Sequence, residues 1–493
     1  MGKSTSRYLE VERKFDVVDS TVSPSFDGLS AVASVKRSPV QELDAVYFDT
    51  PNRDLAAHSI TLRRRTGGPD AGWHLKLPAG ADARTEVREP LGSSDGSAQD
   101  QVPEALRDVV LAIVRDRPLA PVARISTERS VDMLYGPDGV ALAEFCDDQV
   151  TATAGLDGPK QQWREWELEL ADGGDRDLLE RLANRLLDAG AVPAGHGSKL
   201  ARVLESSAES EPTELPDDPI HRAVAGHVDE LLEWDRAVRA DVYDSVHQMR
   251  VTTRKIRSLL QASEDAFGIT DDAWILDELR QLAAVLGVAR DAEVLAEKYE
   301  KALDDLPAEL IRGPVRERLV DGAKKRYAAG HRRSLIAMRS ERYFRLLDAL
   351  EALVATPPPP PPSGDEEPAT LTIDAAYKKV RKAAKAADAA ETDEQRDEEL
   401  HRIRKRAKRL RYTASATGDD KVADRAKAVQ SLLGDHQDSV VSRGHLSKEA
   451  ATAHAAGEDT FTYGVLYQLE DEVARRAEEN LDATLKKLRK SVT

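Results

Sequence analysis

The pentapeptide Glu10-Val11-Glu12-Arg13-Lys14 holds residue types that together can bind a metal ion and a phosphate. On a β-strand successive side chains point to opposite faces, so Glu10, Glu12 and Lys14 share one surface. Two neighbouring carboxylates raise each other's pKa unless a cation lies between them. A divalent metal ion would supply that cation, with Lys14 on the substrate side. The alternative interpretation is a solvated strand of mixed charge.

Charged residues alternate in the same way on later segments, where they form a basic set and an acidic set. The basic set is Arg63, Arg65, Lys76, Arg84, Arg88, Arg129 and Lys199, and the acidic set is Glu86, Asp147, Glu165, Glu167 and Glu169. If these faces point inward, a basic wall lies opposite an acidic one. That lumen suits a polyanion bridged by Mg²⁺ or Mn²⁺, because carboxylates bind hard cations and Arg and Lys bind phosphate.

Alternation alone does not tell whether these charges face inward or outward. Burying so many charges requires a ligand that offsets their lost hydration. Salt-bridged ladders on an outer surface would need no ligand. Both arrangements stay open at this point. Asp147 is followed by Asp148, so the register of that strand is also open, and His74 is interpreted as a packing or surface residue.

The elements that must position these residues are short strands separated by turn signals. The predicted strands are 40–48, 59–65, 72–77, 85–89, 124–134, 140–153 and 164–170. Turns such as Gly67-Gly68-Pro69-Asp70 separate them, and helices are predicted over 103–115 and 175–189. Strands with one polar face favour an antiparallel sheet closed around a charged interior.

Composition limits the class of protein. With 493 residues, the chain has room for about two to four domains. No apolar run approaches the roughly 20 residues that span a bilayer, and we expect a cytoplasmic protein without a signal peptide. The single cysteine, Cys146, excludes an internal disulfide. A net charge of −17 argues against general nucleic-acid binding, although the basic residues are clustered.

Residues 7–205 resemble the CYTH family of triphosphate tunnel metalloenzymes in five ordered motifs. The motifs are Glu10-Val11-Glu12-Arg13-Lys14, Tyr47-Phe48-Asp49-Thr50, Leu62-Arg63-Arg64-Arg65, Lys76-Leu77-Pro78 and Glu165-Trp166-Glu167-Leu168-Glu169-Leu170. The resemblance implies an eight-stranded antiparallel β-tunnel that binds triphosphate-bearing substrates with Mg²⁺ or Mn²⁺. Family members include inorganic, thiamine and RNA triphosphatases and class IV adenylate cyclases.

The resemblance also implies roles for individual residues. It assigns catalysis to Glu10, Glu12, Lys14, Glu165 and Glu167, metal binding to Glu10, Glu12, Asp147, Glu165, Glu167 and Glu169, and phosphate binding to Lys14, Arg63, Arg65, Lys76, Arg129 and Lys199. We expect one metal ion to hold the phosphates and a second to activate water for in-line attack on the terminal phosphorus. No side-chain nucleophile is needed.

Beyond an acidic linker at 206–217 the chain has long helical periodicity, interrupted by a Pro-rich linker at 357–369. The two halves, 218–356 and 370–493, share sequence features. The segment that begins at His247 aligns with the one that begins 154 residues later at His401, and Gly287 aligns with Gly434, 147 residues later. Two similar offsets in the same order indicate a duplication.

Each half carries a row of cations on one face of a helix. At about 100° per residue, the first row is His247, Arg250, Arg254 and Arg257, and the second is His401, Arg404, Lys408 and Arg411. Apolar residues occupy the opposite faces: Met249, Ile256 and Leu260 in the first half, and Ile403, Ala407 and Leu410 in the second. Like charges at this spacing destabilise a helix unless an anion, or acidic side chains of neighbouring helices, balance them.

Residues 218–493 resemble the CHAD domain, a histidine-bearing helical domain of two four-helix repeats that is often joined to CYTH domains. The resemblance implies that both rows bind inorganic polyphosphate in a basic channel, with affinity that rises as the histidines are protonated. The predicted protein is therefore multidomain: a β-tunnel domain at 1–205 and an all-α domain of two duplicated four-helix bundles at 218–493.

We expect hydrolysis of triphosphate, with inorganic triphosphate preferred, in a protein held at polyphosphate or its granules. The alternatives are a binding and targeting protein without turnover, and an adenylate cyclase. Nucleic acid is not an expected partner, because aromatic residues for base stacking make up only 5% of the chain. The sequence leaves the oligomeric state open.

Overall fold

The structure, a computed structural model, describes residues 6–80, 82–92, 101–155, 157–205, 218–263, 267–270, 273–356, 372–416 and 418–492. Both predicted linkers, 206–217 and 357–369, lie outside the described residues. The described chain divides into two compact units. One contains residues up to 283 together with 335–358, and the other contains 284–334 and the residues after 358.

The first unit begins with a closed antiparallel barrel of eight strands, as predicted. Its strands, with two short additional ones, are β1 Ser6–Val17, β2 Ser34–Arg37, β3 Gln41–Asp49, β4 Thr61–Thr66, β5 Gly72–Pro78, β6 Ala83–Glu89, β7 Ala120–Tyr135, β8 Ala141–Ala154, β9 Lys160–Leu170 and β10 Val192–Pro193. The order around the barrel is β1-β6-β5-β4-β3-β7-β8-β9, and pairing of β1 with β9 closes it.

Side-chain alternation gives the barrel a charged interior and an apolar exterior. On β9, Trp166 and Leu168 are fully buried against the helix α4 Arg176–Asp188 on the outside. Glu165 and Glu167 therefore point to the inside. The apolar outer residues stabilise the wall, so the inner positions are left for charged residues.

A helix also packs against the inner face of the barrel. The helix α5 Lys199–Glu205 buries Leu200, Val203 and Leu204 against Ile125 of β7 and other apolar residues of β3 and β8. Lys199, its first residue, is carried into the charged part of the interior. Three further short helices, α1 Asp54–Ala57, α2 Glu104–Val109 and α3 Leu111–Val114, lie between the strands in the sequence.

The remaining described chain is helical, as predicted. Its helices are α6 Pro219–Arg239, α7 Ser245–Ala262, α8 Trp274–Asp304, α9 Gly322–Met338, α10 Glu341–Ala355, α11 Ile373–Asp388, α12 Asp393–Ala416, α13 Asp420–Ala455 and α14 Phe461–Val492. Helices α11 to α14 pack around one apolar core in the second unit. No helix within the described ranges has both the length and the apolar content to span a bilayer.

Candidate functional site

The barrel encloses a cavity of about 270 Å³ that brings most of the predicted tunnel residues together. Its predicted lining residues are Glu10, Glu12, Lys14, Arg63, Arg65, Lys76, Arg129, Glu167, Glu169 and Lys199. Acids and cations therefore share one enclosed space, as the inward arrangement required. Arg84, Glu86 and Arg88, which the sequence placed in the basic and acidic sets, also line the cavity, and so do Tyr47, Asp70 and Glu144, to which the sequence assigned no role.

Lys199 is the centre of an ion-pair cluster on one wall. Its Nζ lies 2.8 Å from Asp148 Oδ2, 2.7 Å from Glu165 Oε1 and 2.8 Å from Glu167 Oε1. Arg129 donates to both carboxylate oxygens of Asp148, at 2.8 and 2.6 Å, and also to Glu167. Burial opposes the ionisation of Glu167, but the neighbouring cations hold its pKa well below the ordinary value.

The structure corrects the assignment of Asp147. This carboxylate accepts hydrogen bonds from Arg164 Nε at 2.8 Å and from Ser23 Oγ at 2.6 Å, on the outer side of β8. Asp148, the adjacent residue, points inward to Lys199. Because neighbouring residues of a strand face opposite sides, only one of the two can belong to the tunnel. We therefore replace Asp147 by Asp148 in the candidate set.

Glu10, Glu12 and Lys14 lie on the adjoining wall, which β1 forms beside β9. Lys14 forms an ion pair with Glu12, and Lys76 forms one with Glu10. Burial opposes the ionisation of Glu12, but Lys76 and Lys14 outweigh it and lower the pKa of Glu12 to about 2. Burial raises the pKa of Glu10, and Lys76 offsets this only in part. The cations thus favour the ionised form of Glu12, whereas burial disfavours that of Glu10.

Glu169 is surrounded mainly by other carboxylates. It pairs across the sheet with Glu12 on one side and Glu144 on the other, and it forms no ion pair within the described residues. Burial, together with the charges of Glu10, Glu12 and Glu144, raises the pKa of Glu169 to about 8. A cation bound beside it would reverse that shift.

The arginines of β4 supply hydrogen-bond donors. Arg63 donates to Tyr47 Oη at 3.4 Å, but its Nε and the Nε of Arg65 are buried and have no hydrogen-bond partner in the part of the chain that the structure describes. Arg65 forms an ion pair with Asp70, from the turn between β4 and β5. Burial and the nearby Arg63 lower the pKa of Arg65 to about 9. Buried guanidinium donors without acceptors are suited to binding an anion.

His74, which the sequence analysis interpreted as a packing or surface residue, packs in the interior and contacts Glu86 of the cavity wall. Its side chain is buried, with Nδ1 2.9 Å from Glu86 Oε1 and Nε2 2.9 Å from the carbonyl oxygen of Asp70. His74 thereby fixes Glu86, which also accepts a hydrogen bond from Arg88. The available signal was alternation, because His74 and Lys76 lie two residues apart on β5.

On the two basic helices, the predicted apolar faces are buried and the cations of the opposite faces are half-buried or exposed. On α7, Met249, Ile256 and Leu260 are fully buried, whereas His247, Arg250 and Arg257 are half-buried and Arg254 is exposed. Arg250 Nε donates to the carbonyl oxygen of Ala283 at 3.2 Å. The Nε of Arg257 is buried and has no hydrogen-bond partner among the described residues.

On α12 the four residues of the predicted row are half-buried, and Ile403, Ala407 and Leu410 are fully buried. Arg404 lies over Gly434 of α13, where a Cβ atom would be 3.6 Å from its Nε. Within the described ranges, that Nε and His401 Nδ1 are buried and have no hydrogen-bond partners. Burial and the adjacent Lys405 and Arg404 lower the pKa of His401.

Comparison with known domains agrees with this architecture. A model of the CYTH domain matches residues 9–202, and a model of the CHAD domain matches residues 222–447. The chain is a CYTH–CHAD protein. Two Mycobacterium tuberculosis proteins, named uncharacterized protein Rv2226 (strain H37Rv) and uncharacterized protein MT2285 (strain CDC 1551), are each 64% identical to it over 509 aligned positions. Each alignment covers 99% of this chain and 98% of the relative.

Solved structures with similar parts have lower identity. PptA from Streptomyces chartreusis is 18% identical and has a TM-score of 0.44, covering 55% of this CYTH–CHAD protein and 100% of the other chain. The CHAD domain from the plant Ricinus communis is 24% identical with a TM-score of 0.41, covering 57% and 94%. A putative adenylate cyclase from Bacillus halodurans is 21% identical with a TM-score of 0.28, covering 40% and 97%.

The CYTH family is metal-dependent, and the tunnel of this CYTH–CHAD protein contains an acidic cluster of the kind that binds hard cations. Ligand oxygens of Asp148, Glu165 and Glu167 lie within 4.8 Å of one another, although Lys199 and Arg129 already balance them. On the adjoining wall, Glu10, Glu12 and Glu144 lie near enough to Glu169 to raise its pKa. The pKa values of Glu10 and Glu169 are both raised, so a cation bound beside them would favour their ionised forms.

Proposed function

We propose that the CYTH tunnel hydrolyses the terminal phosphate of triphosphates, with inorganic triphosphate preferred, and that the CHAD domain binds inorganic polyphosphate. One observation carries the first part. A single cavity contains buried carboxylates with raised pKa values, Glu10 and Glu169, and buried arginines, Arg63 and Arg65, whose Nε atoms have no hydrogen-bond partner among the described residues. Triphosphate with a divalent ion satisfies both.

In the tunnel, the cations would bind phosphate and the carboxylates would bind the metal ion. Arg63, Arg65 and Lys76 would bind the phosphate oxygens and stabilise the charge that spreads over them in the transition state. Glu10, Glu12 and Glu169 would hold Mg²⁺ or Mn²⁺. A bound divalent ion supplies Lewis-acid charge and makes water a better nucleophile at neutral pH. Lys199 would keep Glu165 and Glu167 in place, since its ammonium group contacts both.

A phosphate-release assay tests this proposal. Tripolyphosphate, ATP and thiamine triphosphate are compared with Mg²⁺ or Mn²⁺, and we expect the highest rate with tripolyphosphate. Glu10→Gln and Glu12→Gln should each reduce the rate by at least about 100-fold, because they remove charge that holds the ion. Glu180→Gln is the control, since Glu180 binds Arg13 on the outer surface. Activity retained in both tunnel variants would disprove the metal assignment.

A binding protein without turnover is the second candidate. Lys14 with Glu12, Lys76 with Glu10, and Lys199 with three acids form ion pairs within the tunnel itself. Tight tripolyphosphate binding without phosphate release would favour that candidate. The same reactions with ATP are analysed for cyclic AMP, the product of the cyclase that the family also includes.

The second part of the proposal assigns polyphosphate to the two basic rows of the CHAD domain. Phosphate oxygens would accept hydrogen bonds from Arg257 Nε on α7 and from Arg404 Nε on α12, both buried and without hydrogen-bond partners. This binding would keep the hydrolase beside its source of short phosphate chains.

A further inference from the structure

The outer side of the barrel carries an ion-pair contact with the helical region, within one compact unit. Arg115 directly follows α3, with φ 56° and ψ −129°, a conformation that residues with side chains rarely adopt. Its side chain is only 2% exposed, and its two terminal nitrogens bind Asp348 and Glu351 of α10. An arginine of the CYTH domain is therefore held by two acids of the CHAD domain.

A second ion-pair group flanks the first. Asp108 of α2 accepts hydrogen bonds from Arg239 at 3.1 Å and from Arg339 at 2.9 Å. Leu106, Val110 and Val114 of this segment have no exposed surface. Helices α2 and α3 also lie against α6. Buried chain and charged pairs thus join the segment of α2 and α3 to the helical region.

From this contact a chain of interactions leads into the tunnel. Arg117 Nε lies 3.0 Å from Asp54 Oδ2 of α1, and its Nη1 lies 3.9 Å from Asp348 Oδ1. Next to Asp54, Arg53 Nη1 donates to the carbonyl oxygen of Leu204 at 3.4 Å. Leu204 belongs to α5, and Ala56 of α1 packs against the same apolar cluster.

Helix α5 connects this contact to the candidate site, because its first residue is Lys199. We propose that Asp348 and Glu351 of the CHAD domain act as positioning residues for the CYTH tunnel: through Arg115, Arg117 and α1, they hold α5 so that Lys199 stays on the acidic wall. Lys199 contacts Asp148, Glu165 and Glu167, so a shift of α5 would disturb all three carboxylates together.

The test compares two double variants of the full chain that remove the same charge. Asp348→Asn/Glu351→Gln removes acids that are 54% and 38% exposed. The control, Glu472→Gln/Glu479→Gln, removes acids of α14 that are 35% and 58% exposed and bind arginines of their own helix. Thermal unfolding of each variant verifies that it is folded.

The first readout is hydrogen exchange and needs no ligand. In Asp348→Asn/Glu351→Gln, the amides of α5 should exchange faster, whereas those of α4, on the other side of the barrel wall, should not. The control variant should leave both unchanged, and Asp348→Glu/Glu351→Asp, which keeps the charges, should restore slow exchange. Unchanged α5, or equally faster exchange in α4, would overturn the proposal.

The second readout is the dissociation constant of tripolyphosphate in EDTA, and it rests on the proposed function. The constant should rise about three- to tenfold in Asp348→Asn/Glu351→Gln. If the effect passes through Lys199, it should disappear when Lys199→Met is already present. An equal effect in both backgrounds would overturn the proposal. Absence of both tripolyphosphate binding and phosphate release with Mg²⁺ or Mn²⁺ in the unmodified protein would instead refute the proposed function, and α5 exchange would still decide the coupling.

Discussion

Asp70 forms an ion pair with Arg65, which is a phosphate ligand in the proposed function. Its carboxylate lies in the cavity and pairs with this buried arginine. We expect Asp70→Asn to lower the dissociation constant of tripolyphosphate about threefold or more, because the ligand no longer displaces a charged competitor. Titration calorimetry in EDTA measures the change. Asp82→Asn, at an acid that binds Arg13 on the outside, should have no effect. Weaker binding in Asp70→Asn would contradict this role.

Glu169 should make metal binding depend on pH. Its pKa of about 8 is above the ordinary value, so the carboxyl is protonated at pH 7 and must lose a proton when a cation binds. The affinity for Mn²⁺ without phosphate should therefore rise between pH 6.5 and 8 by up to about tenfold per pH unit, and level off above pH 8. Calorimetry across this range measures it. Glu169→Gln should abolish the slope, and a slope that survives would exclude Glu169.

Strand periodicity predicted which charged residues share a face but not which face is inside. Glu165, Glu167 and Glu169 were grouped correctly because they lie two residues apart. The choice between Asp147 and Asp148 depended on which alternate residues of β8 face inward. This became clear only from Phe145, which packs in the core outside the barrel. The contact between His74 and Glu86 was not predicted, because a single histidine adds nothing to the pattern of charges, although it shares the face of Lys76.

At the scale of elements, the length of a strand decided whether the sequence could predict its position. The eight barrel strands alternate over six to sixteen residues, and their positions were predicted within a few residues for the strands we assigned. β2 has four exposed residues and β10 has two, which is too short for a period to appear. The helix predicted over 103–115 is divided at Val110, where φ is −110°.

The orientation of α12 predicts which of its cations bind polyphosphate. Arg404 lies over Gly434 with a free buried Nε, whereas Arg402 is exposed and binds Glu398 and Glu399 of its own helix. Arg404→Ala should weaken polyphosphate binding about five- to tenfold, and Arg402→Ala, which removes the same charge, by less than about twofold. Fluorescence anisotropy of labelled polyphosphate measures both. Equal losses would indicate that charge alone, and not this face, binds the chain.

At the scale of the whole molecule, composition and packing divide the chain differently. Linker composition separates the sequence at 206–217 and 357–369, close to the ends of the CYTH and CHAD matches and between the duplicated halves. Packing instead groups α6, α7 and α10 with the barrel. The sequence could not predict this grouping, because it depends on partners far apart in the chain, such as Arg115 and Glu351.

Net charge limits which polyanion the whole molecule accepts. The chain has 88 acidic and 71 basic residues, so a duplex as wide as DNA would meet repulsion outside any local basic row. Polyphosphate is thinner and more flexible, and it needs no aromatic residues to stack on. We expect DNA, at equal phosphate concentration, to displace less than about a tenth of bound labelled polyphosphate at 0.15 M salt, whereas unlabelled polyphosphate displaces it fully. Equal displacement by DNA would mean that the basic helices recognise phosphate chains in general, and the assignment to inorganic polyphosphate would then be wrong.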